Sequence, residues 1–160
     1  MHIRTQADDF LNAYRVLKKN DEAIIETLSA TNAKTTPITH DDMQITGGAH
    51  VVCLSFAVEL YLKNLHYVVT GEVPRGHNIL KLFKELPEGV REKVIEHPSI
   101  LNYGWTADDG LKNEIEAISD GFEKWRYSYE SNALRYNIGF ARTFITALVA
   151  VADAITHAPI

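Results

Sequence analysis

Apolar residues recur every three to four positions along most of this chain, the spacing of side chains that share one face of an α-helix. Phe10, Tyr14, Leu17, Ile24, Ile25 and Leu28 form the first such series. Asn20 and Asp21 interrupt it, so the segment reads as one long amphipathic helix or two short ones, packed as an outer wall. Residues 33–48, rich in Thr, Gly and Asp, carry no helical period and read as a loop inside the domain.

The next segment, from about His50 to Thr70, is apolar on most sides. Val51, Val52, Leu54, Phe56, Val58, Leu60, Leu62, Leu65 and Val69 surround a narrow polar line made of Ser55, Glu59, Lys63, His66 and Thr70. At about 100° per residue, steps of four, four, three and four keep that line on one side of the helix. A helix of this kind belongs in the centre of a bundle, with its polar line facing a cleft, an interface or buried partners. Gly71 and then Pro74 mark its end.

Shorter elements follow. Arg75-Gly76-His77 forms a tight connection into a helix carrying Ile79, Leu80, Leu82, Phe83 and Leu86, which Pro87 stops. A second short helix spans Glu88 to His97 and ends at Pro98. Ser99 to Thr106, with Asn102, Gly104, Tyr103 and Trp105, reads as an ordered loop pinned by its rings. Thr106 or Asp108 then caps a helix whose seam is Leu111, Ile115, Ile118, Phe122, Trp125 and Tyr129. The last helix, from about Leu134 to His157, buries Phe140, Phe144, Leu148, Val151 and Ile155, with Ile138, Ile145 and Val149 widening its apolar surface. No segment alternates with period two between hairpin turns, so the fold class is all-α. The expected architecture is an antiparallel up-and-down helical bundle with additional short helices, one domain over residues 1–160.

Composition narrows the picture further. The chain has 160 residues, 46% of them hydrophobic, enough for one core without disulfides. Its one cysteine, Cys53, lies in an apolar run and reads as buried packing in a reducing compartment. The opening MHIRTQADDF lacks the apolar stretch of a secretory signal, which points to the cytoplasm. Residues 138–155 are apolar enough to raise the question of a membrane, but Arg142 and Asp153 interrupt them, and a buried bundle helix is the better reading. A formal net charge of −5 provides no global basic field for nucleic acid, although a local basic patch stays open.

Two groups of residues carry candidate chemistry. Glu59 and Lys63 sit on the central helix, with Arg75 and His77 just beyond its end. Further on come Trp125-Arg126-Tyr127-Ser128-Tyr129-Glu130, where Arg126 and Glu130 share a face and Trp125 and Tyr129 turn to the core. Acid–base pairs at this spacing are also ordinary helix-surface features. No phosphate-cradling glycine loop, zinc-type cysteine set or His-Glu-x-x-His motif occurs. His40-Asp41-Asp42 reads as solvated or capping residues, and His50 and His157 as helix-terminal or surface residues, so neither metal nor cofactor is expected.

In order along the chain stand Ala57-Val58-Glu59-Leu60-Tyr61-Leu62-Lys63, Gly71, Gly76-His77-Asn78-Ile79-Leu80-Lys81-Leu82 and Arg126-Tyr127. This series resembles the HEPN domain over about residues 46–158, with its E-x-x-x-K helix, its G-H-D-L turn and its Arg-Tyr pair. The resemblance implies an antiparallel bundle that dimerises. In many members it also implies metal-independent RNA cleavage by an Arg and a His with four to six residues between them, the pair converging across a dimer interface. Here the positions that follow Arg126 are Ser131, Asn132 and Ala133, none of which is a ready general base, and Asn78 stands where the family has Asp. Arg91 and His97 do have the spacing, but with seven Arg and seven His one such match is expected by chance. Six residues apart on a regular helix, they also point about 240° from each other.

Three functions remain open on these residues. One is a dimeric module that binds nucleotide, RNA or a protein partner, without catalysis, through a polar cleft lined by Glu59, Lys63, Arg75, His77, Arg126, Tyr127 and Glu130. Another is a metal-independent ribonuclease of toxin or defence type with a shifted site, in which His77 replaces the missing histidine and Arg126 or Arg75 stabilises the phosphate. The third is a purely structural module in which Glu59 and Arg126 cross-link helices. The resemblance implies a homodimer, with RNA, a nucleotide, or a protein such as an antitoxin or nucleotidyltransferase as partner, and no membrane.

Overall fold

A computed structural model describes residues 2–30, 48–102, 109–119 and 136–157. Seven helices and no strand occur among them: α1 (Ile3–Ala30), α2 (Ala49–Thr70), α3 (Ile79–Glu85), α4 (Glu88–Ile95), α5 (Pro98–Leu101), α6 (Asp109–Ser119) and α7 (Ile138–Thr156). The fold is all-α, as the apolar period requires.

The first helix runs unbroken through Asn20 and Asp21. An aspartate inside a helix costs only a few tenths of a kcal/mol more than a good helix former. Asp21 is buried, and its Oδ2 accepts from His50 Nδ1–H at 3.2 Å, a tertiary hydrogen bond that offsets the cost. Ile3, Ala7 and Tyr14 turn inward, whereas Val16 and Ile25 are exposed.

Both long neighbours of α2, namely α1 and α7, pack along it, which makes α2 the axis of the bundle. Leu54, Ala57, Leu62 and Leu65 have no exposed surface, and each large side chain so buried is worth about 1.5–3 kcal/mol. Phe140 and Phe144 of α7 stack at 5.5 Å, and Phe83 of α3 meets Phe144 edge-on at 5.6 Å. Cys53 is only partly buried against this core. By length and composition α2 and α7 would suffice to cross a membrane. Their apolar faces are instead spent on each other, on α1 and on the short helices.

The boundaries differ from the sequence reading in two places. Pro98 opens the single turn of α5 instead of ending a helix: proline tolerates the first helical position, and His97 Nδ1 caps the turn by accepting from Ser99 N–H. The last helix begins at Ile138, later than Leu134, because the Asn137 side chain accepts from Phe140 N–H at 2.9 Å and so caps it. The same side chain donates to Glu114 at 2.9 Å, tying α6 to α7. Residues 33–47 of the loop expected at 33–48, His40-Asp41-Asp42 among them, the rings at Tyr103 and Trp105, and the seam beyond Ile118 lie outside the described residues.

Candidate functional site

Glu59 and Lys63 are four residues apart on α2 and share a face, as their spacing requires. His77 reaches them because the chain reverses after α2. Gly71 takes φ +76°, donating its N–H to Tyr67 O, and Gly76 takes φ +97°, a region that L side chains rarely enter. Asn78 then caps α3 by accepting from Lys81 N–H at 2.8 Å, so its amide oxygen serves where the family turn has a carboxylate. Two further bonds fix α3 in place. His66 Nε2–H donates to Leu82 O at 2.8 Å, and Leu80 N–H donates to Ser119 Oγ at 2.8 Å.

The result is a three-residue cluster. Lys63 Nζ donates to Glu59 Oε1 at 2.8 Å, and His77 Nδ1 lies 3.0 Å from Oε1 and 3.2 Å from Oε2. An ionised carboxylate only accepts, so Nδ1 carries the proton that Glu59 holds, and Nε2 is the ring nitrogen left for a further partner. Exposure separates the roles: the side chains of Glu59 and Lys63 are 7% and 13% exposed, and that of His77 is 68% exposed. The buried acid thus orients an imidazole whose other nitrogen has no partner among the described residues.

The rest of the polar line on α2 is satisfied internally. Ser55 Oγ donates to Val51 O, His66 holds α3, and Thr70 Oγ1 donates to His66 O. Thr70 is exposed at the helix end, Ser55 and His66 are buried, and the buried middle of the line meets solvent through His77. Arg75 is exposed and makes no ion pair or hydrogen bond among the described residues. Arg126, Tyr127 and Glu130 lie outside those residues. Arg91 and His97 do not meet: Arg91 donates to Lys84 O while His97 caps α5. His157 caps α7 at the surface, as its position suggests.

Two features escaped the sequence reading. His50 stands in the first turn of α2, as expected, but it is also paired with Asp21 and only 18% exposed. The partners are 29 residues apart, and nothing in the local pattern links them. The second feature is an open groove of about 1050 Å³ between α1 and α7. Tyr61 of α2 reaches it and donates to Asp8 Oδ1 at 2.5 Å, with Arg4 over its ring at 5.3 Å. Burial, then the bond to Asp8, push the Tyr61 phenol well above its ordinary value. The i,i+4 pair of Arg4 and Asp8 was readable along the chain, but Asp153, which accepts from Arg4 Nη1 at 3.2 Å, was not.

Among known proteins, no curated protein and no solved structure matches the chain. The family model of the HEPN domain matches residues 51–155.

Proposed function

Since the chain belongs to the HEPN domain family, we propose that it is a nucleotide- or RNA-binding interaction module, without catalysis, whose contact surface is the outward rim of the Glu59–Lys63–His77 cluster. The single observation behind this reading is the bond from exposed His77 to buried Glu59, which presents an oriented ring nitrogen to solvent. Lys63 balances the charge of Glu59 from within. That leaves His77 and the exposed guanidinium of Arg75 for a phosphate, which arginine binds bidentately. In this reading Arg126, Tyr127 and Glu130 complete the site, and the protein works in the cytoplasm as a homodimer or with a protein partner. The dimer draws on the family, since most of the apolar surface of α7 is used within the protomer.

Fluorescence anisotropy with a labelled single-stranded RNA and with a labelled nucleotide tests the proposal. His77→Ala and Arg75→Ala should each weaken binding about tenfold, the worth of one charge-assisted hydrogen bond, while the fold stays intact. Wild-type protein that binds neither probe, or binding indifferent to both substitutions, would remove the reading.

A ribonuclease is the second reading, favoured by the same dyad. A carboxylate that fixes the tautomer of an exposed imidazole is an arrangement general acid–base chemistry uses. RNA cleavage by wild-type protein, lost in His77→Ala and reduced in Glu59→Gln, would select it over binding alone.

A further inference from the structure

Both α1 and α7 lie along α2 but make little direct contact with each other, and the groove between them is floored by Leu11, Tyr61, Ile145 and Val149. Along α7 its wall runs from Gly139 to Asp153 through Thr143, Thr146 and Ala150, small residues at helical spacing. At 1.5 Å per residue that wall is about 21 Å long, four turns of helix. A helix laid there would complete a four-helix arrangement around α2.

Charge says which helix. Five cations and three carboxylates line the groove, in a chain whose formal net charge is −5. At one end Arg4 bridges Asp8 and Asp153, one cation against two carboxylates, which leaves that end acidic. At the other, Arg15, Lys18, Lys19 and Arg142 face a single carboxylate, Glu22, which pairs with Lys18. Among the described residues Arg15 donates only to Asn12, and the side chains of Lys19 and Arg142 have no partner. Tyr14, which also lines the groove, keeps a buried hydroxyl with no hydrogen-bond partner among the described residues. The carboxylates spaced along the walls oppose a continuous phosphate backbone, whereas an apolar floor with cationic rims suits an amphipathic helix.

We propose that the groove between α1 and α7 docks an acidic amphipathic helix of a protein partner, apolar side on the floor and carboxylates on Arg15, Lys19 and Arg142. This site is separate from the His77 rim and does not depend on it.

Two labelled 16-residue helical peptides test it, both with Leu and Ala on one face, one flanked by Glu and the other by Lys. Anisotropy should find the Glu peptide bound at least about tenfold tighter than the Lys peptide. The double variant Lys19→Glu/Arg142→Glu, checked for native helicity by circular dichroism, should lose that preference, whereas His77→Ala should leave it unchanged. Equal binding of the two peptides, no binding of either, or a preference that survives the double variant overturns the proposal. So does an RNA oligonucleotide bound in place of the peptide and lost in the double variant, which would make the groove a phosphate surface. Self-association abolished by the same variant, with no peptide bound, would make it a contact between copies and likewise overturns the proposal.

Discussion

Asp21 with His50 and Glu59 with His77 are two versions of one chemical pair, a carboxylate holding an imidazole by Nδ1. Each acid is buried, at 8% and 7% side-chain exposure. The histidines differ: His50 is 18% exposed and ties α1 to the start of α2, whereas His77 is 68% exposed on the loop before α3. A ring enclosed on both sides can only join helices. A ring held from beneath and open above can meet a ligand. The surroundings, more than the pair, decide between strut and site.

The sharpest way to break this contrast is to remove the acid at the open pair. Glu59→Ala strands Lys63, whose side chain is mostly buried, and should cost about 3 kcal/mol in urea denaturation. A loss under about 1 kcal/mol would mean that Lys63 reaches water readily, and the cluster would be an ordinary surface feature. Asp21→Ala should cost less, about 1–2 kcal/mol, because it leaves one N–H of a mostly buried imidazole without its acceptor. It should not touch ligand binding, and a binding defect would place the ligand at the wrong pair.

His77→Ala should cost under about 1 kcal/mol of stability, as exposed ion pairs do, while weakening RNA or nucleotide binding about tenfold. Equal stability losses in His77→Ala and Asp21→Ala would erase the distinction between the two pairs. The smallest effect belongs to Tyr136, whose buried hydroxyl has no hydrogen-bond partner among the described residues. Burial raises this phenol above its ordinary 10.0, opposed by the nearby Ser55 hydroxyl and reinforced by Tyr14, itself 6.2 Å from the His50 ring. A raised phenol favours the neutral form in the fold, so its contribution is complete below pH 10 and lost as pH climbs beyond. Tyr136→Phe should be within about 0.5 kcal/mol of wild type at pH 7 and flatten the alkaline fall in stability, read by thermal melts at pH 7 and pH 10.5. An unchanged alkaline slope would count against a buried phenol there.

The sequence by itself determined the helices, since apolar residues three and four apart can be buried together only on a helix, and Gly71 and Pro87 mark ends that the chain obeys. It also determined that Glu59 and Lys63 share a face and that Asn78 heads α3. Tertiary structure alone decided whether Asn20 and Asp21 break α1, because the compensating partner, His50, is contributed by another helix. It decided too which buried part of the polar line on α2 meets an exposed side chain: Ser55 and His66 look no different from Glu59 along the chain, yet their partners are a backbone carbonyl one turn back and one on α3, whereas that of Glu59 is His77. The α1–α7 groove lay beyond any local pattern, for its cations come from helices more than a hundred residues apart and gather only once both pack on α2. Periodicity reports how a residue stands to its own helix axis, and burial and charge depend on what packs against that axis.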